Sequence, residues 1–327
     1  MNTCILTDTT LPSFIHVGDL YAATFERLGW QVTHRTLAEP GELSGFDIVF
    51  HNVNGRNFRT IPGQRNIALF VHEWSRYPPE WIPYFDAFDA IWTTTEHCQR
   101  IAQESGLKPP AHWIPPAVDL DPVLQKTDYT ASQPFHFLYV GAWHFRKGLH
   151  LLFRAWDIAF PEPGAARLTI KTSADCPFKT PRSDIEIITD PWSQDTLQTA
   201  YTAADCYVSA SLGEGWGLPI MEAIRAGLPI CANTWGGHGS MIDDTSAFVI
   251  PHQEIPQTYA SRPELYAPDQ TCGYSSPEAI AETLRQAVLS TPEKRHAISA
   301  RAAVRLSEHY GLFRLKAKML RFFNLQR

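Results

Sequence analysis

The chain contains no run of about eighteen apolar residues, the length a membrane-spanning helix requires. MNTCILTDTT lacks the basic stretch and apolar core of a secretory leader, so none is expected. The six cysteines (Cys4, Cys98, Cys176, Cys206, Cys231, Cys272) are scattered, with no CxxC pair and no metal-ligand spacing. Cys206 in DCYVSAS and Cys231 in LPICAN sit in apolar runs and read as small core residues. A reduced, cytoplasmic compartment is the expectation. Positive charge is not in excess either: the formal net charge is −6, which excludes the basic footprint of a nucleic-acid binder. The dinucleotide pattern GxGxxG and the Walker loop GxxxxGK[ST] are both missing, and no internal repeat is found. Without the glycine fingerprint, an NAD-dependent oxidoreductase is disfavoured.

What remains is ordinary globular material: 327 residues, 44% hydrophobic and 19% charged, enough for about two domains. Short apolar runs alternate with helical patterns, the signature of a parallel α/β architecture. CILT, WQVTHRTL, FDIVFHN, NIALFVHE, DAIWTTT and AHWIP read as strands in the first half. GDLYAATFERLG, with Leu20, Ala23, Thr24 and Leu28 at helical spacing, reads as a helix. A polar stretch without period, residues 118–133, reads as a linker. A second series follows, with FHFLYVGA, ARLTIKT, IEIIT, CYVSAS, LPICAN and SAFVI as strands, joined by helices GLHLLFRAWDIA, QDTLQTAYTAA and LPIMEAIRAG. Two Rossmann-like halves, residues 1–133 and 134–305, imply parallel sheets facing a central cleft, with ligands at strand carboxyl ends. Residues 251–276 read as a long loop, functional or mobile, and the chain from about Pro277 as helical.

Two stretches carry chemistry. In FLYVGAWHFRKGLHLLFRAW a strand ends at Gly141 and a helix begins near Gly148, with Arg146 and Lys147 at the turn. Cations beside a helix N-terminus make a phosphate site; the competing reading is a solvated basic turn. In CYVSASLGEGWGLPIMEAIRAG a strand, a Gly-rich loop and a helix follow one another. Glu214 lies in the loop, Gly215, Trp216 and Gly217 offer backbone amides before Leu218, and Pro219 suits the first helical turn. Glu222 is expected in that first turn. A lone glutamate there would be an ordinary charge at a helix N-terminus. Two of them, eight positions apart around this loop, fit a ligand rich in hydroxyls.

GAWHFRKG paired with EGWGLPIMEA resembles the retaining nucleotide-sugar transferases of family 4 of the glycosyltransferases, with Glu214 and Glu222 at the spacing of their E-x7-E motif. SQDTLQTAYTAADCYVSAS resembles the segment before that motif. The resemblance is weaker in the first half, resting on VGDLYAATFERLGWQV, VHEW and DAIWTTTEHCQRIAQESG. It implies the α/β GT-B fold and transfer of a sugar, with retention and without a metal, from a UDP-, GDP- or ADP-sugar to a carbohydrate or lipid-linked hydroxyl. It implies further that Arg146 and Lys147 hold the donor diphosphate, Glu214 the sugar hydroxyls and Glu222 the ribose. His72 would lie near the transferred sugar, and Gly18 and Gly141 near the diphosphate. Thr189 to Trp192 would lie at the base, and the departing phosphate would take the acceptor's proton. The position of a common arginine is held by Ala142, so Arg146 is expected to supply the guanidinium. Glu73 is open between acceptor contact and an ion pair. His16, Asn54, Arg56, Trp74 and Tyr77 stand in first-half loops as acceptor candidates.

Relatives of this kind also return a C-terminal helix, here residues 306–327, to the first domain. Leu315, Met319, Phe322 and Phe323 supply its apolar stripe. The alternative is contact with the inner face of a membrane, since Arg314, Lys316, Lys318 and Arg321 interleave that stripe. Two other readings share the chemistry: an NDP-sugar epimerase, for which no further acid and base stand out, and a silent sugar- or partner-binding module. No DxD-type motif stands at a strand end.

Overall fold

The computed structural model describes residues 1–10, 12–53, 55–118, 125–257 and 269–324, with the side chain of residue 56 also outside the description. The chain divides into two units: Met1–Asp119 with Ala260–Gln270 and Glu308–Arg327, and Leu120–Tyr259 with Thr271–Ser307. Of the expected linker, Val118 falls in the first unit and the described residues 125–133 in the second. There Lys126 donates to the Ala204 carbonyl at 2.8 Å, and the Tyr129 hydroxyl to Gly227 O at 2.8 Å.

The first unit runs β1 (Asn2–Thr7), α1 (Pro12–Arg27), β2 (Gln31–Thr36), β3 (Ile48–Asn52), β4 (Arg65–Phe70), β5 (Ala90–Thr93), α2 (Glu96–Glu104) and β6 (Ala111–Trp113). Its strands form one parallel sheet ordered β2-β1-β3-β4-β5-β6. β3 is buried along its whole length, as a strand covered on both faces must be. Helix α1 starts six residues before the Gly18 at which the sequence suggested it, because Pro12 presets the helical φ of a first turn. Its buried stripe is Val17, Gly18, Tyr21, Ala22, Thr24 and Phe25, with Ala23 exposed. Gly18 is therefore a helix residue. A Cβ there would meet Thr7 Oγ1 at 2.9 Å and Asn52 Nδ2 at 3.1 Å, so the glycine lets α1 approach β1 and β3 closely.

The second unit runs β7 (Phe135–Val140), a 3-10 turn (Phe145–Lys147), α3 (Leu149–Ala159), β8 (Ala166–Lys171), β9 (Ile185–Ile188), α4 (Gln194–Ala203), β10 (Cys206–Ser209), α5 (Leu218–Arg225), β11 (Ile230–Ala232), a 3-10 turn (Gly236–Ser240) and β12 (Phe248–Val249). These six strands are parallel in the order β12-β11-β10-β7-β8-β9. From β7 the chain steps to β8 and β9 on one side, then to β10, β11 and β12 on the other. Order reverses between β7 and β10, and a crevice opens at the carboxyl ends of such a pair.

Residues 251–276 depart from expectation. β13 (Gln253–Pro256) and β14 (Thr271–Tyr274) pair antiparallel, so part of the expected loop is a two-stranded ladder. The strands are four residues each, and β13 is mostly exposed, so no apolar alternation announces it. Residues 258–268 of that stretch lie outside the described residues.

Helices α6 (Pro277–Val288), α7 (Pro292–Tyr310) and α8 (Leu312–Phe322) complete the chain. Leu315 and Met319 of α8 are buried, Phe322 lies edge-on to Trp92 at 5.3 Å, and Phe323 edge-on to Trp30 at 5.3 Å. The stripe that an interfacial helix would insert into lipid is thus packed on first-unit aromatics. Lys318 lies over the Trp113 ring, its ammonium 4.0 Å from the centroid. Among the described residues no helix is long and apolar enough to cross a membrane.

Candidate active site

The switch point between β7 and β10 is built by two turns. After β7, Gly141 N donates to Lys171 O, and the chain passes through the 3-10 turn to Gly148. Gly148 adopts φ 70°, and a Cβ on it would lie 1.9 Å from the Ala210 carbonyl oxygen. Only glycine allows the β7 turn to press against the backbone after β10. The same approach lets Leu212 N donate to Arg146 O at 2.8 Å.

Arg146 and Lys147 are thereby delivered to Glu214. The Arg146 guanidinium pairs with Glu214 Oε2 at 2.9 Å and also donates to Gly213 O. Lys147 Nζ donates to Oε1 at 2.6 Å, and the Ser211 hydroxyl reaches the same oxygen at 3.0 Å. Glu214 is 7% exposed. Burial alone would push its carboxyl up, but Arg146, then Lys147 and His238, together hold it far below the usual range.

The backbone of this loop is clamped from beneath. Gly237 N donates to Glu214 O at 2.6 Å, and a Cβ on Gly237 would lie 2.7 Å from Gly215 O. Trp216 is buried. Gly217, at φ 103°, caps α5 and leads into Leu218 and Pro219. His238 is buried below, its ring carbon 2.8 Å from where a Gly217 Cβ would be. Burial pushes this histidine down to about 4 against the pull of Glu214.

Glu222 is the fifth residue of α5, past the first turn in which it was expected. A favourable interaction with the helix N-terminus falls off within that turn, so it accounts poorly for this carboxylate. Instead Glu222 accepts the Tyr201 hydroxyl at 2.9 Å. Burial holds its carboxyl above the ordinary range, opposed by that hydrogen bond and by Arg225. Tyr207 on β10 lies in the field of both Glu214 and Glu222, which adds to burial in holding its hydroxyl protonated.

The remaining expected residues lie as follows. Thr189 and Trp192 follow the carboxyl end of β9, at the same edge of the sheet, with Lys171 Nζ 6.0 Å from the Trp192 ring centroid. In the first unit His72 follows β4; its Nε2 is 2.7 Å from Arg76 O, and its backbone N is 3.4 Å from Cys98 Sγ. With Nε2 donating to that carbonyl, Nδ1 is the acceptor nitrogen in the neutral ring. Two acceptor candidates prove to be core: Trp74 is 2% and Tyr77 5% exposed, the latter packed edge-on to Phe70. Tyr77 belongs to the apolar cluster of the first unit, with Phe70 and Phe85, instead of to a loop surface. His16 is half-buried on α1, and Asn54 and the Arg56 side chain lie outside the described residues. Gly18, inside α1, is not in a phosphate-facing loop. Ser211, Tyr201, Tyr207 and His238 were not foreseen; each sits in or beside an apolar run and has no sequence signal apart from packing. Among the described residues no group of three His, Cys, Asp or Glu side chains is arranged to hold a metal.

Residues 134–263 match the family model of glycosyl transferases group 1, which covers the β7–β10 switch point but less than half of the chain. No curated protein matches in sequence. Among solved structures, sucrose-phosphate synthase from Thermosynechococcus elongatus is similar with a TM-score of 0.71 at 14% identity, over 99% of this chain and 98% of that one. HepE of Anabaena, in complex with UDP and glucose, has a TM-score of 0.69 at 11% identity over 100% of both chains. A trehalose-6-phosphate protein from E. coli bound with UDP-2-fluoro glucose has 0.70 at 9% identity, again over 100% of both. The two parallel six-stranded sheets with their helices are the GT-B fold of glycosyltransferases.

Proposed function

We propose that the protein is a retaining glycosyltransferase that moves a sugar from a nucleoside-diphosphate sugar to a carbohydrate or lipid-linked hydroxyl. The observation that carries this reading is the convergence of Arg146, Lys147 and Glu214 at the β7–β10 switch point. Two cations there match a diphosphate, whose charge grows as the glycosidic bond breaks. Their ability to neutralise that charge makes the proposed reaction independent of a metal. Glu214, with the amides of the following loop, serves sugar hydroxyls, and Glu222 serves the ribose. Thr189 to Trp192 flank the base. Ligands of the structural neighbours, UDP with glucose and UDP-2-fluoro glucose, support a donor of this class.

The test is incubation with a panel of UDP-, GDP- and ADP-sugars, followed by NMR of the anomeric product. Transfer or slow hydrolysis with the donor's anomeric configuration, unaffected by EDTA, is expected. Isomerised donor would make the protein an epimerase, binding without turnover a silent module, and inverted product would remove retention.

A further inference from the structure

We propose that Glu214 is an internal anion that occupies the phosphate-binding cations until the donor arrives, so that nucleotide binding is an anion exchange within the Arg146–Lys147–Glu214 cluster. The inference rests on reading these cations as the diphosphate site, and concerns what that site does when empty.

Both carboxylate oxygens are already committed: Oε2 to Arg146 at 2.9 Å, Oε1 to Lys147 at 2.6 Å and to Ser211 at 3.0 Å. Side-chain exposures are 13% for Arg146, 18% for Lys147 and 9% for Glu214, so solvent screens these charges little. A diphosphate added to the intact cluster would place further negative charge against a buried carboxylate. Like charges in such surroundings repel strongly. The anions therefore compete for the same two cations.

The way the carboxylate yields is set by the backbone. Glu214 O accepts from Gly237 N, and Gly213 O accepts from Arg146, which pins the main chain on both sides. The side chain is the part able to turn. Once turned, a buried carboxylate needs new hydrogen-bond donors, and leaving it without them is costly. The hydroxyls of a donor sugar supply them; a bare nucleoside diphosphate or inorganic pyrophosphate does not. Exchange thus favours the intact nucleotide-sugar over the spent nucleotide, which helps product leave.

The experiment is calorimetric titration of inorganic pyrophosphate, UDP, GDP, ADP and their glucose conjugates into wild type, Glu214→Gln and Lys147→Ala. Glu214→Gln is expected to bind pyrophosphate and the accepted nucleoside diphosphate at least about tenfold more tightly than wild type. Its preference for the sugar conjugate over the diphosphate should collapse. Equal or weaker diphosphate binding by a folded Glu214→Gln would overturn the proposal and make Glu214 a positioning group for the cations. Binding unaffected by Lys147→Ala, or no binding by any protein, would instead remove the phosphate reading. Because Glu214→Gln removes the carboxylate that two buried cations share and could fail to fold, a crystal structure of wild type with pyrophosphate is the second measurement. Lys147 Nζ should leave Glu214 for a phosphate oxygen; phosphate bound with both ion pairs intact would sink the exchange.

Discussion

Lys147 ends in a single ammonium 2.6 Å from Glu214, and that atom separates catalysis from binding. An interaction that strengthens as the leaving group gains charge raises turnover as well as affinity. Lys147→Ala is expected to lower kcat by about 10²–10³-fold at saturating donor, as loss of one preorganised charge-stabilising group does. Steady-state kinetics on a variant with wild-type circular dichroism checks this; an unchanged kcat removes the role. Glu222 predicts a different pattern. Its carboxyl is held above the ordinary range, so the stability it contributes is complete below its unfolded value and lost as pH rises through its folded value. Glu222→Gln should therefore raise the thermal midpoint at pH 7, leave it unchanged near pH 3, and weaken donor binding about tenfold or more through the lost charged hydrogen bond. Thermal melts at both pH values and one donor titration decide it. Arg146, Lys147 and Glu214 were legible as candidates because charges just past strand ends interrupt apolar runs, and Glu222 through its spacing from Glu214. Ser211, Tyr201 and His238 were not, because a hydroxyl or imidazole inside CYVSAS-like text looks the same whether it packs or points at a site.

Between residue and molecule stand the turns, and Gly148 decides the most important of them. Its φ of 70° and the 1.9 Å approach of Ala210 O to a hypothetical Cβ leave no room for alanine. Gly148→Ala should cost at least about 2 kcal/mol, the order of a strained left-handed position, with the clash added. It should also lower kcat and donor affinity together, since Arg146 and Lys147 precede this glycine directly. Urea unfolding beside donor kinetics tests the pair; a stable variant with normal kinetics would show that the turn can move away from β10. All twelve strands of the two parallel sheets were legible as elements, because buried parallel strands are apolar runs bounded by turn residues. β13 and β14 were not, since a four-residue, mostly exposed ladder buries too little to leave a pattern. The start of α1 was misplaced for a related reason: PSFIHV holds apolar and polar residues in a mixture that fits a loop as well as a first helical turn.

At the scale of the whole molecule, buried histidines set the response to acid. Burial, partly opposed by Asn66, pushes His51 down to about 4, and burial with Arg167 does the same to His136. His238 is likewise at about 4, and His97, under burial and Arg100, at about 3. Each stays neutral when folded and takes a proton near 6.5 when unfolded, so the unfolded chain binds more protons between these values. The stability that these histidines contribute should be complete above pH 6.5 and fall as pH drops, by about 1.4 kcal/mol per pH unit for each histidine in the window. His51 and His97 belong to the first unit, His136 and His238 to the second, so both should weaken. Denaturant midpoints from pH 7.5 to 4.5 measure this, and a flat profile would mean that water reaches the rings. The packing of α8 carries a consequence for biosynthesis. Trp30, Trp92 and Trp113 belong to segments made early, yet the residues that cover them, Leu315 to Phe323, follow the entire second unit. At ribosomal rates that interval is on the order of ten to forty seconds. The second unit can close as soon as it has emerged, whereas the first-born unit waits for its lid of aromatics, leaving three tryptophans open to a holding chaperone in the meantime.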